Sequence, residues 1–168
     1  MNTRPGGGTT MDSATTEQQS RRQYAEEFGL LYSNMGMPPA YGKLLGWLLV
    51  CDPPVQSSTE LAEALQLSKG SVSTGMRMLE GSKLARRVVR PGRRGHAYEL
   101  LPDALITATS DAGALWSTMS ALMQRGVELS GGEDAPEAQR TRIARDYFAF
   151  IARRVPELIE EFKRDNGL

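Results

Sequence analysis

Positive charge is concentrated in one segment of this chain, from Leu67 to Leu100. That segment holds eight of the twenty Lys and Arg residues of the protein and only two acidic residues, Glu80 and Glu99. The whole chain of 168 residues has as many acidic as basic residues and is formally neutral. Net charge bears on solubility, whereas a local block of basic residues indicates a negatively charged partner. The segment is therefore the first candidate for a functional site.

Other kinds of site have little support in the residue types present. Cys51 is the only cysteine and His96 the only histidine, so one chain cannot supply the several ligands of a zinc site, and we predict no metal and no cofactor. The Gly-rich stretch "RPGGGTT" lacks the Lys and the preceding strand of a phosphate-binding loop. With no Ser–His–Asp set either, we predict that the protein is not an enzyme.

The single thiol leaves two interpretations open. Cys51 ends the apolar run "LLGWLLVC" and precedes "DPP", which favours a buried and inert thiol. The alternative is a thiol-based redox regulator, which would require an exposed thiol with positive charge nearby.

Two short helices joined by a tight turn lead into the basic segment. Ser57 followed by Glu60 is a capping box, and it predicts a helix with Leu61 and Leu65 on its buried side. Ser68 is a second N-cap, and we predict the next helix from Lys69 to about Glu80, burying Val72, Met76 and Leu79. This arrangement is a helix-turn-helix.

A basic β-hairpin follows directly. Val88 and Val89 favour a strand, "PGRRG" is typical of a turn, and "AYEL" from Ala97 to Leu100 returns as the second strand. Helix, helix and basic hairpin is the order of a winged helix. The concentration of charge is explained if one face of this domain meets DNA phosphates.

Side chains off the buried stripe of the second helix suit the major groove, because small hydroxyls allow close approach and Lys or Arg can donate to a guanine edge. The hairpin residues suit phosphates and the minor groove. We therefore predict the following DNA-binding residues: Ser58, Lys69, Ser71, Ser73, Thr74, Arg77, Arg90, Arg93, Arg94 and His96. Gly70 and Gly75 weaken the helix, and close approach to DNA would explain their presence. Tolerance of a poor helix former is the alternative.

The remaining sequence is predicted to be mainly helical. We assign residues 1–20 to a disordered tail, 21–37 to an N-terminal dimerisation helix, 38–101 to the winged helix-turn-helix and 102–168 to a C-terminal helical dimerisation region. Pro156 should kink or restart the last helix. The fold class is thus mainly α with a small β-wing. No stretch has the length of a membrane span or the pattern of a signal peptide, so we expect a cytoplasmic protein.

The apolar stripes of the first and last helices exceed what a winged helix can cover. We expect them to bury each other across a two-fold homodimer, with a closed monomeric bundle as the alternative. Met35, Met37, Met119 and Met123 are open to two interpretations, as core filler or as the lining of an effector pocket together with Trp116.

The stretch from Gly42 to Leu79, "GKLLGWLLVCDPPVQSSTELAEALQLSKGSVSTGMRML", resembles the MarR superfamily of winged-helix regulators, and most of all its GbsR-type branch. The resemblance implies a homodimeric transcriptional regulator, often a repressor of efflux or osmolyte genes. It also implies a small, frequently lipophilic effector that binds between the dimer helices and the winged domain and releases double-stranded DNA from a palindromic operator.

The wing departs from the family pattern. The family commonly reads Gly-Asp-Arg-Arg, in which the Asp steadies an Arg that enters the minor groove. Here Gly92, Arg93, Arg94 and Gly95 stand at these positions, so Arg94 matches the first family Arg and Arg93 replaces its acidic partner. A different class of function, a winged helix that serves as a protein-docking module, remains an alternative. Such a module would not need the net positive charge of this segment.

Overall fold

The computed structural model describes residues 9–90 and 95–168, with only the backbone described for residues 9–14, 111 and 112. The chain divides into two compact units, Met1–Ala104 and Leu105–Leu168. The first unit contains helices α1 (Thr9–Asn34), α2 (Pro39–Val50), α3 (Ser58–Leu65) and α4 (Lys69–Gly81). Its three short strands are β1 (Gln56–Ser57), β2 (Ala85–Val88) and β3 (Ala97–Leu100). The second unit contains α5 (Ala104–Leu129), a 3-10 turn at Pro136–Ala138, and α6 (Gln139–Asn166).

Helix α2 forms the centre of the first unit. Pro39 occupies its first turn, where the missing N–H costs no hydrogen bond. The helix is buried nearly all round, with Leu44 and Leu45 fully inaccessible to solvent. Leu61 of α3 and Met76 of α4 are equally buried, so the helix-turn-helix is built onto α2.

Helix α1 crosses α2 at unusually short range because glycines face it. A Cβ at Gly42 would lie 2.3 Å from the Phe28 carbonyl oxygen, and one at Gly46 would lie 2.7 Å from the Phe28 Cβ. Ala25 is completely buried at this crossing, and Lys43 of α2 pairs with Glu26 of α1 at 2.7 Å. Part of the α1 stripe that we expected at a dimer contact therefore packs within the chain.

The N-terminal boundary of α1 differs from the expected one. We expected disorder up to residue 20, but the helix begins at Thr9, immediately after the glycine-rich stretch. No Gly or Pro interrupts residues 9–28, and extending an existing helix costs far less than nucleating one. An ion pair between Glu17 and Arg21 supports this part of the helix, although residues 15–20 are exposed.

The wing is a three-stranded antiparallel sheet in the order β1-β3-β2, rather than a hairpin alone. Gln56 pairs with Tyr98 and Ser57 with Ala97, while Arg87 on the other side also pairs with Tyr98. The Gln56 side chain is buried and satisfied, donating to the Pro53 carbonyl at 2.6 Å and accepting from the Trp47 indole at 3.5 Å. The extra strand fastens the wing to the start of α3.

The second unit is a pair of long helices joined by a clamped loop. Trp116 of α5 stacks on Phe148 of α6 with ring centroids 6.0 Å apart. Arg145 of α6 donates to Gln124 of α5 at 2.7 Å and also bonds Glu133 in the loop. Pro156 does not restart the last helix, since α6 continues through it to Asn166.

No helix in the described parts of the chain is both long enough and apolar enough to cross a membrane.

Candidate nucleic-acid interface

Helix α4 begins and packs as the sequence predicts. The Ser68 hydroxyl accepts the Ser71 backbone N–H at 3.0 Å and so caps the helix before Lys69. Val72, Met76 and Leu79 have no solvent exposure, which fixes the rotation of the helix about its axis. The opposite side must therefore face outward.

Four predicted contact residues lie exposed on that outward side: Lys69, Ser73, Thr74 and Arg77. Neither Lys69 nor Arg77 forms an ion pair with another described residue. Ser71 differs from its neighbours, since it is half-buried and its hydroxyl lies 2.9 Å from that of Ser68. Two hydroxyls flanked by two free cations can approach phosphates and base edges of a duplex together.

The two glycines of α4 have different roles. Gly75 is buried, and a Cβ there would lie 2.4 Å from Leu44 Cδ1 in α2. The explanation of Gly75 by close approach to DNA is therefore wrong, because its missing side chain serves the packing of α4 on α2. Gly70 is exposed and a Cβ there would meet only the Ser68 hydroxyl, at 3.8 Å, so close approach to DNA remains a prediction for Gly70.

The arginines of strand β2 are paired within the domain. The Arg86 Nε lies 2.6 Å from Glu99 on β3. The Arg87 Nε lies 3.1 Å from Glu80 at the end of α4, and its guanidinium also lies over the Tyr98 ring, 5.9 Å from the centroid. Much of the positive charge of the segment thus has a local counter-charge, and less of it is available to a partner than the sequence indicates.

Arg90, a predicted DNA contact, is also paired. Its Nη1 donates to both carboxylate oxygens of Glu60, at 3.0 and 2.9 Å. Glu60 completes the capping box of α3, since its Oε2 accepts the Ser57 N–H at 2.6 Å. The Ser57 backbone hydrogen bond, with help from Arg90, holds the pKa of Glu60 below its usual range.

The other predicted contacts are placed as follows. His96 is exposed at the start of β3, and its carbonyl accepts the backbone N–H of the half-buried Ser58 at 3.2 Å. Arg93 and Arg94 lie outside the described residues. The structure therefore brings Ser58 and His96 together through the backbone, and it presents the α4 residues as a separate outward row.

The predicted effector residues are divided between the two units. In the first unit, Met35 is exposed and Met37 half-buried, and both lie in the turn that follows α1. Trp116, Met119 and Met123 lie on one side of α5 in the second unit and are half-buried.

The second unit also carries an open groove of about 400 Å³ that the sequence did not indicate. Its walls are almost wholly apolar and come from both helices: Leu105, Ile106, Val155, Leu158, Ile159 and Phe162. Leu105 and Ile106 at the start of α5, together with the apolar residues in the last turns of α6, are the sequence features that could have indicated this groove.

The environment of Cys51 favours the inert interpretation. Its thiol is half-buried and lies 3.8 Å from the Pro54 carbonyl and 3.9 Å from that of Leu48. Burial raises the pKa of the Cys51 thiol to about 11. The thiol is therefore protonated at neutral pH, and a protonated thiol is a poor nucleophile. Among the described residues there is no cluster of His, Cys, Asp and Glu that could hold a metal ion.

A capped helix with exposed cations, set in a helix-turn-helix beside a small antiparallel wing, defines a winged-helix DNA-binding protein. A model of the MmpR5-like MarR family transcriptional regulators matches residues 103–165. The HTH-type transcriptional regulator MmpR5 of Mycobacterium tuberculosis (strain ATCC 25618 / H37Rv) is 30% identical over 145 residues, covering 86% of this chain and 88% of that protein. The chain belongs to the MarR family of transcriptional regulators.

Two further matches are also described as transcriptional regulators. The putative HTH-type transcriptional regulator YvaV of Bacillus subtilis (strain 168) is 29% identical over 106 residues, or 63% of this chain and 59% of that protein. A solved structure described as the crystal structure of a transcriptional regulator aligns with a TM-score of 0.74 at 31% identity. That alignment covers 86% of this chain and 99% of the other.

Proposed function

We propose that the protein is a cytoplasmic homodimer that binds a palindromic operator through α4 and represses transcription until a small lipophilic effector releases it. The observation that carries the proposal is the outward row on α4, where Lys69, Ser73, Thr74 and Arg77 are exposed while the opposite side is locked into the core. In this proposal α4, including Ser71, reads base edges in the major groove, and Ser58, His96, Arg93 and Arg94 add backbone or minor-groove contacts.

A two-fold dimer would present α4 twice. Half-sites would then be centred about one helical turn, ~34 Å, apart or a multiple of that distance. Exposed apolar side chains on the long helices could form the dimer interface. They include Leu30 and Leu31 on α1 and Phe150 and Phe162 on α6.

The proposed effector contacts are Trp116, Met119 and Met123 on α5. Flexible, polarisable Met side chains suit a lipophilic ligand of irregular shape. The stacking of Trp116 on Phe148 gives the site an optical reporter, since a ligand that separates the rings would change the fluorescence of Trp116.

The first experiment is a footprint on the upstream region of the protein's own gene and of its neighbours. Protection of an inverted repeat by the wild-type protein, lost in a Lys69→Ala/Arg77→Ala variant, supports the proposal. A matched control is Arg140→Ala/Arg154→Ala, which removes two exposed charges from α6. Protection that survives the α4 substitutions would overturn the assignment of the reading helix.

The second experiment tests the effector. A lipophilic ligand should change tryptophan fluorescence and weaken DNA binding over the same concentration range. The signal should persist in Trp47→Phe, because Trp47 is buried in the first unit, and should disappear in Trp116→Phe. Ligands that release DNA with no change in the Trp116 signal would argue for a different site.

The finer placement in the GbsR-type branch, and with it a role at efflux or osmolyte genes, is supported by the likeness of residues 42–79. Neighbouring genes that encode a transporter would strengthen it.

A further inference from the structure

We propose that Arg90 is a positioning residue that, through Glu60, locks the wing to the first turn of α3, rather than a DNA contact in its own right. This inference rests on the proposed function, because positioning the wing matters only if the wing meets DNA. It changes the role of one predicted contact residue and gives a role to Glu60, a carboxylate that the DNA-binding proposal does not otherwise use.

The first observation is that Glu60 joins three elements. Its Oε2 accepts the backbone N–H of Ser57 at 2.6 Å, and Ser57 belongs to β1 and caps α3. Arg90 follows β2, and its Nη1 donates to both oxygens of the same carboxylate, at 3.0 Å to Oε1 and 2.9 Å to Oε2. One side chain thus joins the outer strand of the wing to the helix-turn-helix, across thirty residues of sequence.

The second observation is that the central strand of the wing, β3, is also held at the start of α3. Strand β3 begins next to His96, whose carbonyl accepts the backbone N–H of Ser58, the first residue of α3. Both strands are therefore tied to the start of α3, one through the backbone and one through an ion pair. Arg86 and Arg87 form no such link to α3, since they pair with Glu99 of β3 and Glu80 of α4.

The third observation concerns burial and sequence. The Arg90 side chain is 20% exposed, compared with 64% for Arg86 and 51% for Arg87, so Arg90 is the most sheltered of these three arginines. Glu60 lies on α3, thirty residues before Arg90 in the sequence, so the carboxylate that holds Arg90 comes from outside the wing.

The two roles of Arg90 predict opposite signs for one substitution. Glu60→Gln removes a negative charge from the DNA-binding unit, and simple electrostatics predicts tighter binding to a polyanion. If Glu60 positions the wing, the same substitution weakens binding. Gln is an accepted partner in a capping box, so α3 keeps its N-terminal hydrogen bonds in this variant.

The experiment is a salt titration of operator binding by wild type, Glu60→Gln, Arg90→Gln and the double variant. The matched control is Glu63→Gln, an exposed glutamate on the same helix. We expect Glu60→Gln to weaken binding about twofold to fivefold, within the range for ion pairs near a protein surface, while Glu63→Gln leaves binding unchanged or slightly tighter. The double variant should be no weaker than Arg90→Gln alone, because both substitutions break one link.

Amide hydrogen exchange of β3 supplies a second readout. We expect faster exchange at Ala97–Leu100 in Glu60→Gln and in Arg90→Gln, with no change in Glu63→Gln. If Glu60→Gln tightens binding as Glu63→Gln does, and leaves exchange in β3 unchanged, the inference is wrong and Arg90 acts as a direct contact. Failure of the wild-type protein to bind any operator would instead overturn the proposed function.

Discussion

At the scale of single residues, the structure separates cations that hold the domain together from cations that face outward. Arg86, Arg87 and Arg90 each have a carboxylate partner, whereas Lys69 and Arg77 have none among the described residues. A guanidinium already paired with a carboxylate must exchange that partner to bind phosphate, so it contributes less to affinity. The unpaired cations of α4 should therefore dominate the response to mutation.

Cys51 allows a prediction about redox input. With its pKa raised to about 11, only about one thiol in a thousand is ionised at pH 8. We expect alkylation by iodoacetamide to be slow at pH 7 and to accelerate tenfold per pH unit up to the pKa, provided that the fold persists. Operator binding should resist peroxide equally in wild type and in Cys51→Ser. Loss of binding by the wild type alone would restore the redox alternative.

At the scale of elements, the two glycines of α4 give a matched pair of substitutions. Gly75→Ala inserts a methyl group against Leu44 in the core and should destabilise the protein by about 1–2 kcal/mol. Gly70→Ala makes only an ordinary contact with the Ser68 hydroxyl, at 3.8 Å, and should stabilise the helix by up to about 1 kcal/mol. Thermal unfolding of both variants checks the prediction. Equal stability changes of the same sign would contradict the packing described for Gly75.

Gly70→Ala is also informative about DNA. If the helix approaches the duplex closely at this exposed position, the variant should bind the operator more weakly while being more stable. A variant that gains stability and keeps its affinity would mean that the glycine is merely tolerated.

The sequence predicts an element well when the interactions that form it join residues close together in the chain. The bounds of α4 and the capping box of α3 follow from residues three or four apart, and both are confirmed. Strand β1 has only two residues, and it forms because β3 lies beside it. No pattern in the local sequence predicts it. The partners of Arg86 and Arg90 lie thirteen and thirty residues away, and charge counting along the segment could not reveal them. Gly75 shows the same limit, since its contact is with another helix.

At the scale of the whole molecule, the long helices expose large apolar side chains, among them Leu30, Leu31, Leu158 and Phe162, and contiguous exposed apolar surface marks interaction sites. We expect a dimer at micromolar concentration in sedimentation, unchanged by deletion of residues 1–20 and disrupted by deletion from Arg153 onward. Leu158→Lys should weaken the dimer, whereas Glu161→Lys, a charge placed on an exposed polar position of the same helix, should not. A monodisperse wild-type monomer would contradict the expectation.

The central claim is that α4 reads the base sequence while the wing contributes sequence-independent contacts. The most direct measurement compares the affinities of wild type, Arg77→Ala and Arg94→Ala for an operator duplex and a scrambled duplex at several salt concentrations. Arg77→Ala should lose roughly 1–3 kcal/mol per contacted base pair on the operator and much less on the scrambled duplex. Arg94→Ala should lose affinity for both and lower the salt dependence by about one unit per lost phosphate contact. If Arg77→Ala weakens both duplexes equally while Arg94→Ala alone alters sequence preference, the wing is the reading element and the account is wrong.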